Sequence, residues 1–192
     1  MRLNRNLLLC CCVVALLPVA AHATGLELSA GISYSPFTLQ DNGALTSAIG
    51  FQGLLASRVA PHVVADLQGA YVKASEVLGG STKLYTATLG VKYFATPLYV
   101  KNPDGTSTER HTRVNPYFRF SGGVSDGEIT GETISMFLAY MVGGGLRWDP
   151  TDKSRDFAVD LESRVATGLG SNGESQTDIG VFLLGTLELN IE

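Results

Sequence analysis

The chain has few of the features that small secreted or helical membrane proteins depend on. Its three cysteines, Cys10, Cys11 and Cys12, are contiguous near the N-terminus, and no cysteine follows them. A disulfide-stapled domain is therefore excluded from the remainder. After Leu17 no apolar run approaches the ~20 residues that a spanning helix needs, so helices crossing a membrane are excluded there too. Histidine is limited to His22, His62 and His111, and no Cys/His metal spacing, P-loop or Rossmann fingerprint occurs after the leader. Cations are outnumbered, with 14 Lys and Arg against 18 Asp and Glu. Such a chain offers no broad basic surface to phosphates, and no nucleic-acid partner is expected.

What is present begins with a leader. Arg2 and Arg5 precede the apolar run Leu7–Leu17, and Ala21-His22-Ala23 supplies small residues around a cut. That is the layout of a secretory signal peptide over residues 1–23, since the run is too short to span a bilayer. The cysteines fall inside it. Leu9 precedes Cys10, where a lipoprotein signal needs a small residue, so lipidation is not expected. Residues 24–192 then form one domain by length. All 22 glycines lie in that part, a frequency well above the ~7% average. They suit strands, bends and close-packed lumens better than helices.

The rest alternates. From Thr177 to Ile191 the odd positions read Thr, Ile, Val, Leu, Gly, Leu, Leu, Ile, and the even positions carry Asp178, Thr186, Glu188 and Asn190. Phe157, Val159, Leu161, Val165 and Leu169 form the apolar wall of the preceding segment, with Asp160, Glu162 and Arg164 opposite. Six earlier segments repeat the pattern, with outward sets such as Leu26–Tyr34, Ile49–Leu55, Val63–Tyr71, Tyr85–Tyr93, Pro116–Val124 and Ile134–Trp148. A period of two is the signature of a strand with one apolar and one polar wall. None of the eight outward sets contains a charge, which matters because Lys or Arg at mid-bilayer on a lipid face costs ~2–4 kcal/mol. Aromatics gather at the ends of these sets: Tyr34, Tyr71 and Tyr85 at one rim, Tyr93, Trp148 and Phe157 at the other. Two girdles at the headgroup levels would place them so.

The expected fold is therefore all-β, an eight-stranded antiparallel up-and-down transmembrane β-barrel over residues 24–192, and a monomer. A secreted lipocalin-like barrel, with inside and outside exchanged, is the alternative. With the N-terminus periplasmic, the periplasmic connections are a tight turn at Arg58–His62, the long Thr96–Arg113 with its Pro103-Asp104-Gly105 turn signal, and Asp149–Asp156. Gln40–Ala44, Val77–Thr82, Gly127–Glu132 and Ser171–Gln176 then lie outside. Thr96–Arg113 reads as a flexible excursion.

Two short pieces carry a resemblance. Val114-Asn115-Pro116-Tyr117-Phe118 through Gly123, and Gly143-Gly144-Gly145-Leu146-Arg147-Trp148, are similar to strands of the small outer-membrane barrel families of the OmpA/OmpX/OmpW and opacity-porin type. The resemblance implies residence in a Gram-negative outer membrane, with its lipid and lipopolysaccharide as surroundings and the barrel-assembly machinery as partner. Many members end in an aromatic residue which that machinery reads; this chain ends Ile191-Glu192. The resemblance carries no specific activity, because these families include structural proteins, adhesins, narrow pores and lipid enzymes.

In this register nine charges face the lumen: Glu27, Asp66, Lys92, Arg119, Arg147, Asp160, Glu162, Arg164 and Glu188. Unpaired charges are costly in a narrow low-dielectric lumen, so these should pair. Pairing makes either a fixed plug or a constriction that passes ions when pairs re-form. The other half of the lumen is lined by small residues, and Phe137, Phe182 and Leu184 would floor an acyl-chain pocket if a ligand filled it. Small residues also let a narrow barrel close. A lipid-modifying enzyme would need a nucleophile with a base in reach at the outer rim. His62 and His111 fall on the opposite connections, so no catalytic residue, metal or cofactor is assigned. The acidic, short external loops give weak support to adhesion.

Overall fold

The computed structural model describes residues 25–39, 45–75, 81–110, 112–129, 132–150, 157–169 and 175–189. Residues 1–24, including the expected signal peptide, lie outside this set, as does His111. Ten strands occur among the described residues: β1 Leu26–Leu39, β2 Leu45–Ala60, β3 Val63–Ser75, β4 Ser81–Phe94, β5 Tyr99–Lys101, β6 Ser107–Glu109, β7 Val114–Ile129, β8 Glu132–Trp148, β9 Phe157–Leu169 and β10 Ser175–Leu189. Eight of them form one closed antiparallel barrel in the order β1-β10-β9-β8-β7-β4-β3-β2, and β1 pairs with β2 to complete the ring. Ring neighbours are next in sequence except at two places: β1 and β10, which close the ring, and β4 and β7, between which β5 and β6 form a separate hairpin. Closure leaves no strand edge unpaired, which is the condition for a sheet to sit in hydrocarbon.

Parity sets the two walls. Ile49 and Phe51 on β2 are 61% and 63% exposed, whereas their neighbours Ala48, Gly50, Gln52 and Leu54 are buried. On β7 Phe118 and Phe120 point out, and Tyr117, Arg119 and Ser121 point in. An apolar exterior around a charged interior is the arrangement of a transmembrane barrel. A lipocalin-like barrel has the opposite one. Tyr34, Tyr85, Tyr93 and Trp148 are exposed, and Tyr71 is half-buried against Tyr85 with ring centroids 5.2 Å apart. Along β4, Tyr85 and Tyr93 are eight residues apart, about 26 Å at ~3.3 Å per residue. A tilt of ~40° reduces that to about 20 Å, close to the height of the apolar band of such barrels. The Phe157 side chain lies outside the described ones.

Several connections differ from the sequence reading. β2 runs through Arg58 to Ala60, so the turn is only Pro61-His62 and Arg58 is a strand residue. A register shift between Arg58 and Ala60 accommodates one extra residue, Val59, which is exposed. β4 begins at Ser81, β7 reaches Ile129, β8 starts at Glu132 and β10 starts at Ser175. The connections read as Val77–Thr82, Gly127–Glu132 and Ser171–Gln176 are thus partly strand, because polar alternation continues past the last apolar outward residue. Gln40–Ala44 is outside the described residues except for its neighbours, and Asp149–Asp156 is described only to Pro150. Thr96–Arg113 is not a loose excursion, since it contains the β5–β6 hairpin.

Lipid-face and lumen positions of one strand should respond differently to charge. Val91→Lys on the exterior of β4 is expected to lower the unfolding free energy in bilayers by about 2–4 kcal/mol. Thr86→Lys on the interior wall of the same strand should be tolerated better. Heat-modifiable gel migration and urea unfolding in vesicles measure both, and equal responses would show the walls to be misassigned.

Candidate functional site: an ionic lattice in the lumen

The lumen narrows to a layer of charge near the end where β1 begins. Arg147 on β8 is its centre. It donates from Nη1 and Nη2 to the two carboxylate oxygens of Glu27 on β1, each at 2.9 Å. It also donates from Nε and Nη2 to Asp160 on β9 at 2.7 and 3.0 Å. Lys92 on β4 reaches across to the same Asp160 at 2.7 Å. Arg58 on β2 bonds Glu27 at 3.2 Å and Glu109 on β6 at 2.7 Å. A second set lies beside this one. Arg119 on β7 bonds Asp66 on β3 and lies 3.5 Å from Glu162 on β9, and the Tyr117 hydroxyl donates to Glu162 at 2.9 Å. Lys92 and Arg147 also lie over aromatic rings, Lys92 4.8 Å from the Tyr117 centroid and Arg147 4.9 Å from that of Phe94.

Of the nine charges expected in the lumen, seven are here, each buried and paired: Glu27, Asp66, Lys92, Arg119, Arg147, Asp160 and Glu162. Glu188 is the register partner of Glu27 and Arg164 that of Gly143, but their side chains lie outside the described ones. The same holds for Phe137, Phe182 and Leu184, the residues read as a pocket floor. Arg58 was missed because it was placed in a turn, although its even number on β2 puts it on the lumen wall with Gln52, Leu54 and Ala56. Tyr117 and Asn115 have lumen parity on β7 and were legible by the same rule. Glu109 was not, since nothing in the sequence folds its hairpin back onto the barrel.

The small residues have a specific use. A Cβ on Gly145 would lie 2.6 Å from the Tyr117 Cζ and hydroxyl oxygen, so only glycine leaves room for the ring that reaches Glu162. A Cβ on Gly90 would lie 2.9 Å from Ser121 Cβ and 3.0 Å from an Asp66 oxygen. Past this layer the described lumen wall is uncharged and mostly polar: Ser29, Ser33, Gln52, Gln68, Thr88, Ser121 and Ser125 are buried beside Ala48, Ala139 and Met141. Four atoms around Gly90, namely Asp66 Oδ2, Arg119 Nε, Thr88 Oγ1 and Ser121 Oγ, have no partner in the arrangement seen.

At the mouth, Leu98 and Tyr99 close the lumen with Ala56, Val64, Phe94 and Tyr117. The β5–β6 hairpin that follows turns through Asn102–Gly105. Gly105 donates its N–H to the Asn102 carbonyl at 3.1 Å and has φ of +85°, the left-handed position that such loops reserve for glycine. The Thr106 hydroxyl and N–H both donate to Asp104 and hold that exposed carboxyl below its usual range. His62, in the β2–β3 turn, stacks on Tyr93 at 5.5 Å with Nδ1 2.8 Å from the Phe94 carbonyl oxygen.

No family model matches the sequence, and no curated protein matches it. Solved structures do. Neisserial surface protein A is 13% identical, with 86% of this chain and 97% of its own covered and a TM-score of 0.63. Ail, the attachment invasion locus protein of Yersinia pestis, is 16% identical over 86% of this chain and 98% of its own, with a TM-score of 0.54. At such identity the likeness shows the barrel fold and nothing finer.

Three substitutions test the lattice. Arg147→Met leaves Glu27 and Asp160 without their main partner and is expected to cost about 3–5 kcal/mol of stability. Arg147→Lys should recover little of this, because one ammonium cannot serve two carboxylates bidentately. Gly145→Ala should displace Tyr117 and cost about 1–3 kcal/mol, since overpacking forces neighbours off their rotamers. Equilibrium unfolding in lipid vesicles reads all three, and wild-type stability of Arg147→Met would show that the lattice does not hold the barrel.

Proposed function

We propose that the chain is a structural barrel of a Gram-negative outer membrane, with a lumen that passes ions only briefly, when lattice pairs exchange partners. The observation that carries this reading is the balanced charge of the lumen among the described side chains. Four buried bases, Arg58, Lys92, Arg119 and Arg147, face four buried acids, Glu27, Asp66, Asp160 and Glu162. Balanced pairs at hydrogen-bonding distance attract one another more than they attract a passing ion, and eight strands leave an interior about as wide as side chains fill. Arg119 lies 3.5 Å from Glu162, the longest of the lattice contacts described, so the second set is where exchange is easiest.

The outer-membrane placement is supported by the leader, the apolar band between two aromatic rims, and a fold shared with Neisserial surface protein A. The N-terminus-inside orientation puts the charge layer and the β5–β6 hairpin on the periplasmic side. No step of catalysis is assigned. His62 faces a backbone carbonyl and a tyrosine ring rather than a hydroxyl nucleophile.

Planar-bilayer recording of refolded protein tests the reading. Wild type should show little steady current and brief openings at most. Arg119→Gln leaves Asp66 and Glu162 with excess negative charge, so openings should become more frequent and cation-selective. A large steady wild-type current that Arg119→Gln leaves unchanged would overturn the plug and make solute passage the leading function.

A further inference from the structure

We propose that the β5–β6 hairpin is a hinged lid over the lumen mouth, latched by the Glu109–Arg58 ion pair and corked by Leu98 and Tyr99. The inference deepens the reading of the lumen as a closed pore, because it adds a second barrier outside the ionic lattice. The cork is a separate apolar layer. Leu98 and Tyr99 are 2% and 3% exposed although they belong to a connection, and they lie against the lumen-facing Ala56, Val64, Phe94 and Tyr117.

The hairpin is built to move as one piece. Arg110 N–H donates to the Leu98 carbonyl at 2.9 Å and closes its base. The Asn102 amide donates to the Thr106 and Thr108 hydroxyls at 3.0 and 2.7 Å and braces the strands. Its attachments are fixed just outside that unit. The Asn115 side chain accepts from Thr96 N–H at 3.0 Å and donates to the Thr96 carbonyl at 2.8 Å, and Asp149 N–H donates to the Arg113 carbonyl at 3.0 Å. On the described side of the hairpin, bending is thus confined to the residues between Thr96 and Leu98.

Little else holds the lid down among the described contacts: the Leu98 N–H to Pro61 carbonyl bond at 2.6 Å, the two corking side chains, and Glu109 on Arg58 at 2.7 Å. The latch is asymmetric in a way that suits release. Glu109 is 37% exposed and enters water when the lid lifts, whereas Arg58 keeps Glu27 at 3.2 Å and is not left as an uncompensated buried charge. A cork fixed only to complete the core would have no use for a partly wet latch whose buried half has a second partner.

The test reads lid opening without depending on current. Ala56→Cys places a thiol beneath the cork, and a water-soluble maleimide is applied to the protein in nanodiscs. Labelling at residue 56 is measured by peptide mass. Labelling should be slow in the parent and about two- to fivefold faster with Glu109→Gln, the range an exposed ion pair commands. With Tyr99→Ala it should be about tenfold faster or more, as expected for losing a buried aromatic. Ser107→Ala on the exposed hairpin should leave the rate unchanged, and Leu138→Lys, which weakens the whole barrel from its lipid face, should accelerate it less than Tyr99→Ala. Equal rates in all variants, or equal acceleration by Leu138→Lys, would overturn the lid. Accelerated labelling together with a large steady wild-type current that Arg119→Gln leaves unchanged would keep the lid and remove the ionic plug, so the two proposals fail separately.

Discussion

A guanidinium buried inside a closed ring of strands must be satisfied by groups that the ring itself brings together, and Arg147 is that group here. Its two carboxylates come from β1 and β9, and one of them lies 120 residues away in sequence. Neither is on the strand that pairs with β8 through most of its length on the other side, β7. The pairing to Glu27 crosses the lumen past β10 and exists only when the barrel has closed. Asp160 is the register partner of Arg147 and can pair with it in the β8–β9 hairpin alone, whereas Glu27 stays hydrated and separate until closure. After closure the loss of any one leaves a charge in a medium where it costs several kcal/mol. The lattice therefore makes opening of the β1–β10 seam unfavourable, because only closure brings Glu27 to Arg147.

From that constraint the asymmetry of the lumen follows. Long side chains reach across one half, and the residues between them must be small so that they can. Gly145 yields its Cβ space to Tyr117, and Gly90 yields its own to the Asp66 carboxylate. These glycines have ordinary extended backbones, so their value lies in the room they leave rather than in conformational freedom. Toward the other rim the described wall is mostly Ser, Thr and Gln, with Ala48, Ala139 and Met141 among them, and its polar groups pair with near neighbours such as Gln68 with Gln52 at 2.7 Å and Thr86 with Ser125 at 3.1 Å. Hydrogen bonds between neutral neighbours add little rigidity across the lumen. The end with the ionic lattice is thus the cross-braced end, and it is also the end onto which the extra hairpin folds.

Much of this was legible from residue parity, because a period of two needs no knowledge of neighbours. Phe118 and Arg119 differ by one position and face opposite walls, and the same rule assigns Lys92, Asp160 and Glu162. The rule also covers Arg58, which was lost only where the apolar outward set seemed to stop at Leu55. Strands here extend beyond their apolar sets, since residues outside the hydrocarbon band no longer need an apolar face. Partners were beyond reach of the pattern. Parity says that Arg147 points inward, but choosing Glu27 and Asp160 requires the order and stagger of strands around the ring. The hairpin was further out of reach, because Leu98, Tyr99 and Glu109 sit in a segment with no alternation to read. Its turn at Pro103-Asp104-Gly105 was visible, and its docking was not.

Two solved structures similar in fold share only 13% and 16% of their residues with this chain. At that level the likeness shows the barrel fold alone; an alternating apolar exterior is what lipid demands of any spanning barrel, and many sequences satisfy it. The exterior consequently says where a barrel can reside and almost nothing about what it does. Distinguishing information must lie where lipid imposes no rule, in the lumen and in the connections. In this chain the two meet at one place: Arg58 joins the lumen lattice through Glu27 to the connection through Glu109. A residue with one partner in each is the point at which an event at the hairpin becomes a change of charge pairing inside the barrel. It is also the point at which this molecule differs from a generic closed cylinder of strands.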